Sequence, residues 1–275
     1  MTRRIPPLVL IGGGITIALG LLAGLAPLVA PFSPKTLSGA ALSGPSSLHL
    51  LGTNDIGQDI FSQLVWGARP TLVVAVGSAS LALAIGVIVG VTSGLIGGLL
   101  DLVAMRVVDF FLALPLLPVL VLVAAQVGAR QGDLIVVIGL MSWPPTARIL
   151  RSQTLTLRQR GFVSAARGFG TGPAYVVRRH LIPALGPLLV SGFVAVGAHA
   201  VLLEAGLAFL GLSDPTGVSW GLVLNRALLY QGLYFSSLWV WWVLPAGLAI
   251  TAAVLGFTFV GIGLEPNFNP RWERA

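Results

Sequence analysis

The 275-residue sequence contains no cysteine. That excludes a disulfide framework, an iron–sulfur cluster and a cysteine-ligated zinc site. Charge is nearly as scarce: 16 basic and nine acidic residues make up 9% of the chain, against roughly 25% in soluble domains. A soluble globule of this length could not cover its surface with so few. Catalytic signatures are missing too. There is no G-x-x-x-x-G-K-[ST] phosphate loop and no H-E-x-x-H pair, and His49, His180 and His199 are far apart in sequence. No nucleotide-binding, metalloprotease or zinc site is therefore expected from the residues, and no catalytic residue, bound cofactor or metal is assigned.

Apolar residues fill the space. Hydrophobic side chains are 56% of the sequence and the mean hydropathy is +0.94. This composition belongs to an all-α polytopic membrane protein and excludes a disordered chain or a soluble nucleic-acid binder. The pI of about 11.2 does not point to DNA, because the few basic residues sit at the edges of apolar stretches.

A membrane-spanning helix needs ~20 apolar residues. The uncharged gaps predict six spans: Leu8 to Ala30, Pro70 to Leu100, about Leu102 to Ala129, Leu134 to Ala147 and beyond, Leu181 to Leu203, and Ser237 to Leu264. The fourth is too short alone and must continue past Arg148 and Arg151, whose stems can snorkel to the interface. The first apolar stretch is too long for the h-region of a cleaved signal peptide, so it reads as a retained span. With six spans both termini share one side. That side carries 12 of the 16 basic residues, and Lys35, Arg69, Arg130 and Arg226 are on the other. The bias places the termini and the Arg148–Arg179 loop in the cytoplasm.

Four regions follow: residues 1–50 (first span and outer linker), 51–69 (outer segment), 70–266 (five further spans) and 267–275 (cytoplasmic tail). In the outer segment Ile56, Ile60, Phe61, Leu64 and Val65 fall at helical spacing, and Asp55 with Gln58 makes a capping-box variant. The expectation is a short amphipathic helix lying at the outer interface.

The stretch from Arg148 to Pro183 holds seven arginines and no acid. Within it Phe162, Ala165, Ala166 and Phe169 follow the i, i+3, i+4, i+7 pattern. Gly170 suits a C-terminal cap and Pro173 the first turn of the next helix. The prediction is a short helix below the membrane, small and apolar on one side. Such a helix either fixes topology against anionic headgroups or docks a cytoplasmic partner, with its aromatics as anchors.

Ser164-Ala165-Ala166, Gly170 and Pro183 thirteen residues later resemble the EAA signature of ABC importer permeases. The residues around it, from Gly161 to Gly170 and from Arg179 to Pro183, are similar to the peptide-importer branch. Three more stretches agree: Leu51 to Asp59 with Gly67-Ala68-Arg69; Met105 to Asp109 with Leu112-Ala113-Leu114-Pro115; and Leu203 to Leu212 with Ser219-Trp220-Gly221. From Leu51 to Pro266 the chain resembles the C-type subunit of dipeptide, oligopeptide and nickel permeases. Two positions depart from the pattern: Ser164 stands where Glu is usual, and Gln58 where a basic residue is usual.

The resemblance implies a non-enzymatic type I importer permease forming half of a translocation path. It implies a second homologous permease, two cytoplasmic ATPases that carry the ATP and magnesium, an extracytoplasmic binding protein and the surrounding bilayer. It also implies an ATPase-coupling role for Phe162, Ser164, Ala165, Ala166, Arg167, Phe169, Gly170 and Pro183.

Intramembrane charges are functional candidates by default. Arg106 and Asp109, three apart, are expected to form a structural ion pair. Glu204 and Trp220 are candidates for the pathway or an outer gate, and His199 is expected to be a packed polar residue. Gly12-Gly13-Gly14 would ease helix packing, and Trp239, Trp241 and Trp242 would form an outer interfacial belt. The cargo favoured by the resemblance is peptide, with nickel or another small solute as the alternative. An ion-coupled secondary transporter using Asp109 and Glu204 is a further alternative, which would require inverted repeats.

Overall fold

The computed structural model describes residues 6–127, 130–161, 166, 168 and 170–264. Every long apolar run becomes a helix, because inside hydrocarbon each backbone N–H and C=O must be satisfied within its own segment. In chain order these are α1 (Pro7–Gly24), the single turn α2 (Ala26–Val29), α3 (Ile60–Ile96), α4 (Gly98–Ala113), α5 (Leu116–Val127) and α6 (Gln131–Leu157). They continue with α7 (Pro173–Phe209), α8 (Trp220–Leu229) and α9 (Leu238–Leu264). Among the described residues α1, α3, α6, α7 and α9 are each long and apolar enough to span, and the bent pair α4–α5 makes a sixth.

Both α3 and α7 have 37 residues. At 1.5 Å per residue each is about 55 Å long, so their ends project well beyond ~30 Å of hydrocarbon. The third span is broken: α4 and α5 meet at 89°. Pro115 causes this, since it disfavours helical geometry at the residue before it, and Leu114 is extended (φ −74°, ψ 137°). Within α7 a π-turn covers Val177–Leu181, where the Ile182 N–H reaches back to the Val177 carbonyl just before Pro183.

Small residues set the closest helix contacts. Gly86, Gly90 and Gly94 lie along α3 against α6, and a Cβ on Gly90 would stand 2.5 Å from the Ala147 carbonyl oxygen. A Cβ on Gly12 of α1 would stand 2.7 Å from the Gly256 carbonyl oxygen of α9, whereas Gly13 and Gly14 face open space. The main core joins α3, α7, α8 and α9 around Trp220 and Trp242, both fully buried. Trp242 is therefore a core residue and not part of an interfacial belt. Trp239 is half exposed.

The outer segment is not a separate amphipathic helix. Residues 51–59 form a folded loop and Ile60 opens α3, which runs on through Pro70. The cap is Asp59, whose Oδ2 accepts the Ser62 N–H at 2.7 Å, and Asp55 is exposed. The polar face that suggested an interfacial helix is covered by the linker. Ser62 Oγ accepts the Phe32 N–H at 3.2 Å, and Gln63 Nε2 donates to the Pro34 carbonyl at 3.2 Å.

Candidate functional site

Two regions are positioned for function. The first is the basic hairpin between α6 and α7. Of its sequence-predicted residues, Phe162, Ser164, Ala165, Arg167 and Phe169 lie outside the described residues. Ala166 packs against a small cluster built on Val91, Leu95, Leu150, Val176, Leu181 and Leu185. Its carbonyl accepts the Thr171 N–H at 3.3 Å and the Thr171 hydroxyl at 2.7 Å. Gly170 adopts φ +79°. A left-handed glycine followed by a bond from the next N–H to the carbonyl five residues back is a Schellman ending, as glycine at this position favours. Pro183 does not begin the helix, which starts at Pro173. It lies on the exposed surface inside α7, after the π-turn.

The second region is an open groove of about 870 Å³ between α6, α7 and α9. Its walls are largely apolar. Their polar groups are Thr146 and Gln153 from α6, Ser191 and His199 from α7, and Thr258 from α9; among the described residues no Asp, Glu, Lys or Arg lines it. His199 is exposed here and not packed away. Periodicity along α7 placed no special weight on His199, because a groove made by three helices far apart in sequence leaves no local signal. His199 was visible only as a polar residue in an apolar span, and that signal could have been read the other way.

Glu204 and Trp220 do not border this groove. Glu204 is 2% exposed, and the Thr71 hydroxyl donates to its Oε2 at 3.1 Å, with Ser219 as a second partner. Trp220 donates its Nε1–H to the Leu64 carbonyl at 2.8 Å, against Gly67. Together they join α3, α7 and the start of α8 in a closed junction.

The expected Arg106–Asp109 pair spans 3.9 Å, but Arg148 of α6 is the nearer cation and contacts the other carboxylate oxygen of Asp109. Arg151 makes a two-point bond to Asp101 of α4, at 2.5 and 2.6 Å. These arginines therefore pair with acids and do not simply reach for headgroups. In the loop before α3 Gln58 is a hub. Its Oε1 accepts from Asn54 at 3.0 Å, from Gln63 at 2.7 Å and from Arg226 at 3.5 Å.

Long apolar helices around an uncharged groove, with a basic hairpin at one end, define a helical membrane transport component. The profile of the family described as binding-protein-dependent transport system inner membrane component matches residues 82–274, and the chain belongs to that family. It is an ABC importer permease subunit of the branch that includes peptide and nickel permeases. A protein named as a peptide permease, from Brucella suis, is 40% identical over 90% of this chain and 82% of its own length. The nickel transport permease NikC of Escherichia coli K12 is 35% identical, covering 87% and 86%. The dipeptide transport permease DppC of Alkalihalophilus pseudofirmus is 32% identical, covering 92% and 82%. The fold is shared with a chain of the MetNI methionine ABC transporter in inward-facing conformations. That match has a TM-score of 0.54 and 23% identity, and covers 73% of this chain and 96% of the other.

Proposed function

We propose that this chain is half of the translocation path of an ATP-driven peptide importer in a prokaryotic inner membrane, with both termini cytoplasmic. It pairs with a second homologous permease. An extracytoplasmic binding protein delivers cargo to the outer ends of the helices. Two cytoplasmic ATPases hold the ATP and magnesium and act on the hairpin 160–183.

The observation that carries this reading is the uncharged groove, seen in a chain 40% identical to a protein named as a peptide permease. A wall of hydroxyls, one amide and one imidazole on an apolar surface can hydrogen-bond successive peptide amides without fixing a charged terminus. A bare divalent cation would call for several carboxylates, imidazoles or thiolates at close range, and the groove offers one imidazole.

The hairpin supplies the mechanical link. Its Schellman ending fixes where the short helix stops, so a push on that helix reaches α6 and α7 and is not lost in a loose turn. Purification of the tagged chain from membranes is expected to bring down a P-loop ATPase. Phe162→Ala, and Gly170→Val, which forces a branched side chain into φ +79°, should each lower ATPase association and uptake about tenfold or more, as for an interface anchor. If both variants retain wild-type association and uptake, the hairpin is not the docking element.

A further inference from the structure

α4 is held differently from the other long helices. Only Val108 of its 16 residues is buried, and its apolar contact with α6 centres on Met105, Val108 and Phe111 against Trp143 and Ala147. Two ion pairs add to that contact. Asp101 and Asp109 are eight residues apart, which places them on one side of α4 about 12 Å from each other. They meet Arg151 and Arg148, one turn apart on α6. A third arginine, Arg158 at the end of α6, donates to the Gly94 carbonyl in the last turn of α3 at 3.1 Å.

Both ends of α4 are breaks in helical geometry. Before it, Gly97 and Gly98 take φ +74° and +62° in succession, a backbone path that side-chain-bearing residues rarely follow. After it, the extended Leu114 ahead of Pro115 turns the chain by 89°.

We propose that α4 is an arm carried by α6. The Asp101–Arg151 and Asp109–Arg148 pairs clamp it; α3 is itself held to α6 by the Gly86, Gly90 and Gly94 row and by Arg158, so α4 moves with both and the chain pivots at Leu114–Pro115 when the hairpin beyond α6 is driven. Sliding α4 along α6 would separate both carboxylates from their arginines, a costly step for the part-buried Asp101–Arg151 pair. Rotation at Leu114–Pro115 leaves both pairs intact. The motion therefore goes into that break and not into the clamp. This inference rests on the proposed action of the ATPases on the hairpin.

The assembled importer, in lipid, tests it. The chain has no cysteine to remove, so spin labels can go directly on exposed Leu102 (α4), Ile149 (α6) and Leu122 (α5). Between the nucleotide-free and ATP-bound states the Leu102–Ile149 distance should change by less than about 2 Å, while Leu102–Leu122 changes by more. Arg151→Asp should lower uptake per ATP hydrolysed at least about fivefold, and adding Asp101→Arg to it should restore most of the loss. Equal changes in the two distances would overturn the arm, and so would a reversed charge that leaves uptake per ATP unchanged. Loss of ATP-driven uptake in the unsubstituted importer would instead overturn the proposed function.

Discussion

Glu204 is an acid inside an apolar span whose partners are hydroxyls. Thr71 and Ser219 need an oxygen from it, not a charge. Glu204→Gln keeps that oxygen and should leave both melting temperature in detergent and peptide uptake near wild type. Glu204→Leu strands the buried hydroxyls and should cost about 1–3 kcal/mol, seen as a lowered melting temperature. Loss of uptake in the Gln variant with unchanged stability would mean that the residue works by titrating, as an ion-coupled transporter requires. Asp214, in the loop between α7 and α8, is a carboxylate that does titrate. Hydrogen bonds from the Thr216 hydroxyl and N–H hold its carboxyl below the usual range. Its unfolded value is about 3.9, so its contribution to loop order is complete above that pH and is lost as pH falls through the lower folded value. Hydrogen exchange over residues 210–219, referenced to the free peptide, should show constant protection from pH 7 to about 5 and loss below about 4. Protection that falls as pH rises would contradict this. Among the site residues, Gly170 as a helix end was legible in the sequence because its chemistry is local. The Glu204 junction was not, because its partner Thr71 lies 133 residues away.

At the scale of elements, apolar runs located each long helix among the described residues, because the bilayer sets the minimum apolar length of a span; how far α3 and α7 extend beyond it is set by other contacts. Two errors have physical causes. The outer segment reads as amphipathic, and it is, but its polar face meets the chain's own linker and not water, and periodicity cannot distinguish the two. The break after α4 was signalled by Leu114-Pro115 but passed over, because an uncharged gap counts residues without tracing direction. Helix contacts were legible only in part. In Gly12-Gly13-Gly14 just one glycine makes a close approach, and the Gly86, Gly90 and Gly94 row on α3 does the same against α6. Gly90→Val drives a branched side chain into the Ala147 backbone and should cost about 1–3 kcal/mol or more. Gly13→Val, with no heavy atom within 4 Å of its Cβ position, should shift stability by about 0.5 kcal/mol or less. Thermal unfolding in detergent compares them. An equal loss in both would mean that α3 and α6 do not cross where the structure places them.

At the scale of the molecule, charge is segregated. Basic residues crowd the hairpin and the clamp on α4, while no Lys or Arg among the described residues lines the groove between α6, α7 and α9. A wall without fixed charge is suited to cargo whose side chains vary in sign, since no residue repels one class of peptide. The same wall needs a second surface to close it, which a homologous permease supplies in the proposed assembly. In the proposed assembly the energy comes from outside the chain, through the hairpin. The direct test is uptake of a labelled peptide into liposomes holding this chain, its partner permease and the ATPases, with the binding protein outside and ATP inside. Uptake should require ATP and persist when the proton gradient is collapsed. Uptake that follows a proton gradient without ATP, by this chain alone, would contradict the account.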